Sequence, residues 1–432
     1  MRELARSPNL LSVPGKVFCR VLLHRIKTSV ERILREEQAG FRGGRSCVDQ
    51  IFVLRTIIEQ SLEWNSSLYV NFIDFEKAFD SVHHATLWSI LRSYGFPEKV
   101  INILSSMYAD NRCCVRHGGL HSEWFQVKSG VRQGCVISPL LFLVAIDWVM
   151  KRATADKARG ITWKAFTCLE DEDFADDIAL ISHSQKDMQE KTSRIETEAG
   201  SVGLKISHGK SKIMRMNTRS RADVVVKGKG LENVKEFKYL GSYLTEDGGI
   251  EREILTRIVL ASAAFQQLRV IWNSREISTT TKLKLYKSNV RSVLLYGAET
   301  WRTTQRIESK LRGFEGRCLR RILRIWWELR VTNKEVATRT GINPIVEEVK
   351  RRRWRWLGHV LRMSRSRHPL IALTWNPQGK RRTGRPQGTW RRTMEDERKK
   401  AGKTWNELRW LAQDRDEWRK FVGALCSQGD AG

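Results

Sequence analysis

Tyr69-Val70-Asn71-Phe72-Ile73-Asp74 and Phe174-Ala175-Asp176-Asp177-Ile178-Ala179-Leu180 are the two stretches from which the fold is read. The first is a mostly apolar, β-favouring run that ends on a carboxylate. The second sets a carboxylate pair between Phe174 and Ile178 to Ile181, which read as two short buried strands joined by a hairpin. Burying charge without a partner is costly, so acids at these strand tips imply a cation. In-line nucleotidyl transfer uses two divalent ions roughly 4 Å apart. Magnesium takes one or two protein carboxylates together with substrate phosphates, whereas histidine or thiolate clusters would indicate zinc or iron. Asp74, Asp176 and Asp177 are therefore the candidate catalytic and metal-binding residues, with two Mg2+ ions as cofactor and Mn2+ as a substitute. The competing reading takes Asp176-Asp177 as the end of a solvated acidic loop that begins at Glu170. Asp80-Ser81 precedes an apolar face of Leu87, Ile90 and Leu91, so Asp80 is read as the cap of a helix over 83–94.

Between the carboxylates lies Gly130-Val131-Arg132-Gln133-Gly134, followed by Ser138-Pro139 and an almost unbroken apolar run from Leu140 to Met150. Serine as N-cap with proline at the first helical position predicts a helix start. The two glycines let backbone approach a ligand, with Arg132 and Gln133 as donors; a plain structural turn reads equally well. Upstream, Arg112 to Val115 and Trp124 to Val127 flank Gly118-Gly119 and read as a hairpin.

The order Gln38-Ala39-Gly40-Phe41-Arg42-Gly43-Gly44-Arg45-Ser46, Asp74 with Phe79 and Asp80, Arg132-Gln133-Gly134 with Ser138-Pro139, and Phe174-Ala175-Asp176-Asp177 resembles the reverse transcriptase of non-LTR (LINE-type) retrotransposons. The likeness continues through Gly203 to Ile206, Lys210-Ser211-Lys212 and Phe237 to Ser242, and covers nearly the whole chain. It implies an α+β fold: a right-hand polymerase palm of antiparallel sheet and helices, with partial fingers, a helical thumb and a basic C-terminal region. It also implies an RNA-directed DNA polymerase that extends a DNA primer on an RNA template from deoxynucleoside triphosphates. Asp74, Asp176 and Asp177 match the family's metal-binding carboxylates. Phe79 matches the aromatic that stacks under the incoming sugar and excludes a 2′-hydroxyl. Arg42 and Arg45 match residues contacting triphosphate or template, Gln133 the residue beside the nascent base pair, and Lys210 the lysine that assists proton delivery to pyrophosphate. Arg132 and Gly134 fall on the template and primer side, and Phe237, Tyr239, Leu240 and Gly241 match the primer grip. Phe174, Glu172 and Ser207 depart from the usual tyrosine, apolar residue and asparagine. The alternative function is a catalytically decayed nucleic-acid-binding remnant of such an element. A viral-type polymerase that makes RNA would share the carboxylates without needing Phe79. Full-length relatives carry an apurinic-type endonuclease ahead of the matched region, and the resemblance implies its absence here.

Composition agrees with a polyanionic partner. The 432 residues hold 77 Lys and Arg against 48 Asp and Glu, a formal net charge of +29. No apolar run approaches the roughly 20 residues that span a bilayer, and Met1 to Leu10 lack a signal peptide's apolar centre. No membrane partner is expected, and the expected location is a nuclear or cytoplasmic ribonucleoprotein, not the secreted space. The eight cysteines have no paired metal spacing and are expected to be reduced. The sequence leaves the oligomeric state open.

The domain reading is partial fingers over 1–60, palm with a finger-side hairpin over 61–245, helical thumb over 246–345 and a basic, Trp- and Arg-rich nucleic-acid-binding region over 346–432. Met188, Thr192, Ile195, Ala199 and Val202 recur at helical spacing and should cover the sheet. Ile258, Ala261, Phe265, Leu268 and Trp272 form one thumb stripe, and Ile307, Leu311, Phe314, Cys318, Ile322 and Ile325 another. Arg351 to Trp356 and Trp390-Arg391-Arg392 interleave cations with aromatics, as a surface that grips phosphates and stacks on bases would. Trp405, Leu408, Leu411 and Trp418 also share a helical face, which fits a core role for part of the tryptophans. Lys380 to Pro386 reads as a flexible basic connector.

Overall fold

β-Branched and aromatic residues dominate Leu68–Ile73 (β1), and all six of its residues are buried, as in a strand covered on both faces. The computed structural model describes residues 12–109, 112–132, 134–156, 159–164, 167–220, 222–381, 383–384 and 388–427. In it β1 is the middle strand of a five-stranded sheet with Asp171–Phe174 (β2), Asp177–Ser182 (β3), Lys212–Met216 (β4) and Glu232–Asn233 (β5), in the order β5-β4-β1-β3-β2. β1 runs antiparallel to β3 and β4, with Ile73 opposite Ile178 and Phe72 opposite Lys212. β2 and β3 form an antiparallel hairpin, and β5 joins β4 in parallel.

Helices are read from the same residues. Val13–Ile33 (α1) and Cys47–Glu63 (α2) precede the sheet. His84–Ser93 (α3) buries Leu87, Ile90 and Leu91 as anticipated. Asp80 is not its cap: it lies in the short helical turn Ala78–Ser81, and His83 precedes α3. The reason is a tight strap, in which Val82 O and Phe79 O accept from Gly130 N–H (2.8 Å) and Val131 N–H (2.7 Å) and end the turn early. Ser138–Ala153 (α4) is buried on almost every side. Pro139 sits in its first turn, but Ser138 is already helical and Ile137 takes the cap position; Ser138 Oγ lies 3.3 Å from the Tyr108 hydroxyl instead. Gln185–Ser201 (α5) starts at Ser184, whose hydroxyl accepts from Asp187 N–H. Its Met188, Thr192, Ile195 and Ala199 are buried, and Asn71 on β1 donates to Thr192 Oγ1 at 3.0 Å. The expected hairpin is present: Arg112–Cys113 pairs with Phe125–Gln126, and Arg116–His117 with Leu120–His121 around Gly118-Gly119.

The chain divides into two compact units, the first running up to Gln50 with Trp64–Lys235 and Pro377–Lys380, the second comprising Ile51–Glu63, Glu236–Asn376 and the chain from Arg381. The second opens with the hairpin Glu236–Tyr239 (β6) and Ser242–Thr245 (β7). It continues with Glu251–Gln267 (α6), Gln305–Leu323 (α7), Ile345–Leu361 (α8), Trp390–Lys400 (α9) and Arg415–Ser427 (α10). Ala261, Phe265 and Trp272 share one core with Ile307, Leu311, Phe314, Cys318, Ile322 and Ile325. The first stripe breaks at Leu268, where Phe265 stacks on Trp272 and its carbonyl accepts from the Trp272 indole.

The Trp- and Arg-rich tail corrects the sequence reading. Trp354, Trp356, Trp390 and Trp418 are all buried. The indole of Trp354 donates to Glu397 and that of Trp418 to Trp354 O, while Phe52 packs edge-on against Trp356 and Trp390. Arg353 is buried too and is bonded to Trp301 O and Glu397. These side chains are core, not a stacking platform; Trp410 is an exposed exception at 80%. Part of the connector, residues 382 and 385–386, lies outside the described residues.

Glu59 on α2 accepts from Trp390 N–H at 2.9 Å. Burial pushes its carboxyl up to about 7 against the opposing Trp390 N–H and the fields of Arg302, Arg55 and Arg391. The folded state thus holds a proton that the unfolded chain releases near 4.5, so this group makes stability fall as pH rises between those values, with a plateau above about 7. Glu59→Gln keeps the acceptor and is expected to flatten that slope. Urea unfolding at about pH 5 and pH 8 measures it, and identical slopes in the two proteins would refute the assignment.

Candidate active site

The register builds the site. Because Ile73 stands opposite Ile178, the next residue, Asp74, continues β1 beside Asp177 at the start of β3. Phe174 pairs with Asp177, so Ala175 and Asp176 form the two-residue turn between β2 and β3, with Ala175 in the left-handed region at φ 59°. Asp74 is anchored through its backbone: its N–H donates to Ser211 Oγ at 3.1 Å, and its carbonyl accepts from Ser207 N–H at 2.8 Å.

The three carboxylates feel one another. Burial raises the Asp176 carboxyl above the usual range; Asp74 adds to the rise and Lys210 opposes it. Burial pushes Asp177 up to about 6, with Asp176 and then Asp74 contributing. Lys210 Nζ stands 3.5 Å from Asp74 Oδ1, an oxygen buried without a hydrogen-bond partner. Three mutually repelling oxygen donors at one sheet end suit a hard divalent ion. Among the described residues, no three Asp, Glu, His or Cys side chains are drawn together into a group that encloses an ion.

Around them, Phe79 stacks on Phe142 at 4.4 Å and meets the edge of Phe41 at 6.5 Å. Gly130 is required where it stands, since a Cβ would come within 2.7 Å of Asp80 Cα. Arg132 turns inward: its guanidinium donates to Met107 O and lies over the Tyr108 ring. Gly134 sits at φ 84°, and Gln133 lies outside the described residues.

Arg42 and Arg45 are likewise engaged within the protein. Arg42 donates to the carbonyls of Glu31, Arg35 and Gln38, and Arg45 to Glu36 O and the Glu36 carboxylate. Both guanidiniums brace the loop that holds them. Phe237, Tyr239, Leu240 and Gly241 belong to the second unit. There Leu240 (φ 47°) and Gly241 (φ 79°) make the β6–β7 turn; Leu240 O accepts from the Tyr296 hydroxyl, and Gly241 O from Arg257.

The sequence reading did not single out the side chains that carry the hairpin. Arg35 pairs with Asp171, Asp173 and Asp147, and Gln38 bonds to the turn itself. Glu170 to Asp173 is a buried segment and not a solvated loop. The available signal was the glycine two residues after Gln38, a mark of close backbone approach.

A family model described as reverse transcriptase (RNA-dependent DNA polymerase) matches residues 5–244, and a model of a domain of unknown function matches residues 264–296. The chain is 26% identical over 343 residues to the RNA-directed DNA polymerase from mobile element jockey of Drosophila funebris, covering 76% of this chain and 37% of that protein. It is 26% identical over 283 residues to the retrovirus-related Pol polyprotein from type-1 retrotransposable element R2 of Nasonia vitripennis, covering 62% and 27%. The chain therefore spans little more than a third, or less, of these relatives. A solved telomerase from Candida tropicalis, in complex with a fragment of telomeric RNA, superposes with a TM-score of 0.43 at 14% identity, over 83% of this chain and 56% of that one.

Proposed function

Because the chain belongs to the reverse transcriptase (RNA-dependent DNA polymerase) family, we propose that it extends a DNA primer on an RNA template by two-metal nucleotidyl transfer, as the polymerase of a non-LTR retrotransposon. The observation that carries this reading is the convergence of Asp74, Asp176 and Asp177 at one end of the sheet, the latter two raised towards protonation first by burial and then by the neighbouring carboxylates. Asp74, Asp176 and Asp177 would hold two magnesium ions, with manganese as substitute. When bound, such ions activate the primer 3′ oxygen and steady the triphosphate. The chain's own contribution is position and charge, as phosphoryl transfer generally requires. Lys210, whose Nζ lies 3.5 Å from Asp74 Oδ1, would face pyrophosphate. RNA and primer would be held by duplex shape and backbone charge, with residues 1–60 as partial fingers, 61–245 as palm, 246–345 as thumb and 346–432 as a basic helical region. A nuclear or cytoplasmic ribonucleoprotein is the proposed setting. Among the described residues no helix is long and apolar enough to cross a membrane.

Primer extension tests the reading: purified protein with a primed homopolymer RNA, Mg2+ or Mn2+ and the matching deoxynucleotide should lengthen the primer. No extension with either metal would reject it in favour of a binding remnant. Phe79, packed on Phe142, is proposed to fill the space of a 2′-hydroxyl. Phe79→Val should therefore raise incorporation of ribonucleotides relative to deoxynucleotides by about 10²-fold, the scale on which a pocket rejects one hydroxyl. An unchanged ratio in competition assays would remove Phe79 from that role.

A further inference from the structure

The β2–β3 turn carries Asp176 but does not support itself. Ala175 holds a left-handed backbone that a residue with a Cβ adopts only when its surroundings impose it. What imposes it comes from far away in sequence. Gln38, completely buried, accepts from Ala175 N–H at 2.7 Å and from Gly40 N–H at 2.8 Å through one oxygen, and donates to Ala175 O at 3.2 Å through its nitrogen. One amide side chain thus satisfies both backbone groups of the strained residue. The neighbouring backbone is zipped as well: Ala39 N–H donates to Asp173 O, and Asp173 N–H to Glu37 O. Gly40 lies so close that a Cβ there would meet Ala175 N at 2.3 Å. Gln50 adds a second amide, donating to Glu37 O and Asp173 O at 2.9 Å each.

We propose that Gln38 is a positioning residue that holds the β2–β3 turn in the conformation by which Asp176 and Asp177 face Asp74 and receive divalent metal. A buried amide that bonds to both backbone groups of a residue 137 positions away does more than fill space, because its loss leaves the Ala175 N–H and C=O without partners and frees the turn to leave its left-handed conformation. The proposal rests on the metal-binding role assigned to these carboxylates. Its test does not need turnover.

Mn2+ binding to the full chain, followed by the loss of the free-ion electron paramagnetic resonance signal, is compared for the unmutated protein, Gln38→Met and Gln38→Glu. Hydrogen exchange across residues 171–180 and the thermal midpoint are measured alongside. Gln38→Met, similar in length but without the amide, is expected to weaken Mn2+ binding about tenfold and to speed exchange within that segment. Gln38→Glu retains the oxygen that accepts from Ala175 and, held protonated by burial, a hydroxyl that can donate to Ala175 O, and should stay within about threefold of the parent. Weakened stability with unchanged Mn2+ affinity in the folded protein would overturn the proposal and leave Gln38 purely structural. Should the Met protein fail to fold, the Glu variant and Ala175→Gly decide: glycine relieves the left-handed strain, so Gln38→Glu combined with Ala175→Gly should bind Mn2+ at least as well as Gln38→Glu alone, and weaker binding counts against the hold. Mn2+ binding without primer extension in the parent would sink the polymerase reading while the Gln38 comparison still stands. Absence of Mn2+ binding in the parent would overturn both.

Discussion

Asp176→Ala is expected to lower primer extension by at least about 10³-fold, equivalent to ~4 kcal/mol of transition-state stabilisation, without loss of duplex binding or of fold. Asp176 sits at the turn between β2 and β3, partly buried and beside two more carboxylates. Its removal takes away a negative charge that helps push Asp177 up to about 6. The metal-free variant should therefore be no less stable than the parent, and Asp177 should titrate nearer the ordinary aspartate range. That combination separates lost chemistry from lost structure. A remnant that only binds nucleic acid predicts salt-sensitive duplex binding, equal in the two proteins, and no extension by either. An Asp176→Ala protein that retained a tenth of the parent's rate would end the assignment of this carboxylate.

Arg35→Met is expected to destabilise the first unit by about 3–5 kcal/mol, the usual cost of removing one partner from a buried ion group. Its guanidinium reaches Asp171 at 2.8 Å, Asp173 at 2.5 Å and Asp147 at 3.4 Å, and all three acids are buried. Burial works against the charge on Arg35, but the fields of Asp171, Asp173, Glu37 and Asp147 outweigh it and hold the proton more tightly than usual. Asp173 is raised well above the ordinary range by burial and by Asp171, with Arg35 opposing. A raised carboxyl loses stability as pH rises, and without Arg35 this loss deepens. The gap between parent and variant should accordingly widen once pH rises past the titration of this carboxyl in the folded parent, which urea midpoints at several pH values would reveal. A midpoint unchanged by the substitution would mean that the group contributes nothing net. Since Asp171 and Asp173 lie on the strand that leads into Ala175-Asp176, the variant should also loosen the hairpin.

Much of this was legible in the residues. The run from Tyr69 to Ile73 announces a central strand, and the structure buries all of it. The periodicity of Met188, Thr192, Ile195 and Ala199 announces a helix face, and those side chains cover the sheet. Other features could not be read from local pattern. Glu170 to Asp173 looks like solvated loop until Arg35 and Lys191 are seen against it. Trp354, Trp356 and Trp390 look like a stacking surface until Phe52, Trp418 and Glu397 are found packed around them. Arg42, Arg45 and Arg132, read from sequence as nucleotide or template contacts, have guanidiniums bonded to nearby carbonyls, which no local pattern announces.

Local pattern alone settled the strands, the helix faces and the placing of carboxylates at strand ends, because backbone periodicity and the cost of burying charge act over a few residues. Tertiary structure alone decided which charged and aromatic side chains are interior, and that an amide at position 38 holds a turn at position 175. Those outcomes depend on partners that only the fold brings together, 43 residues apart for Trp354 and Glu397 and 137 for Gln38 and Ala175, and local pattern does not name the partner.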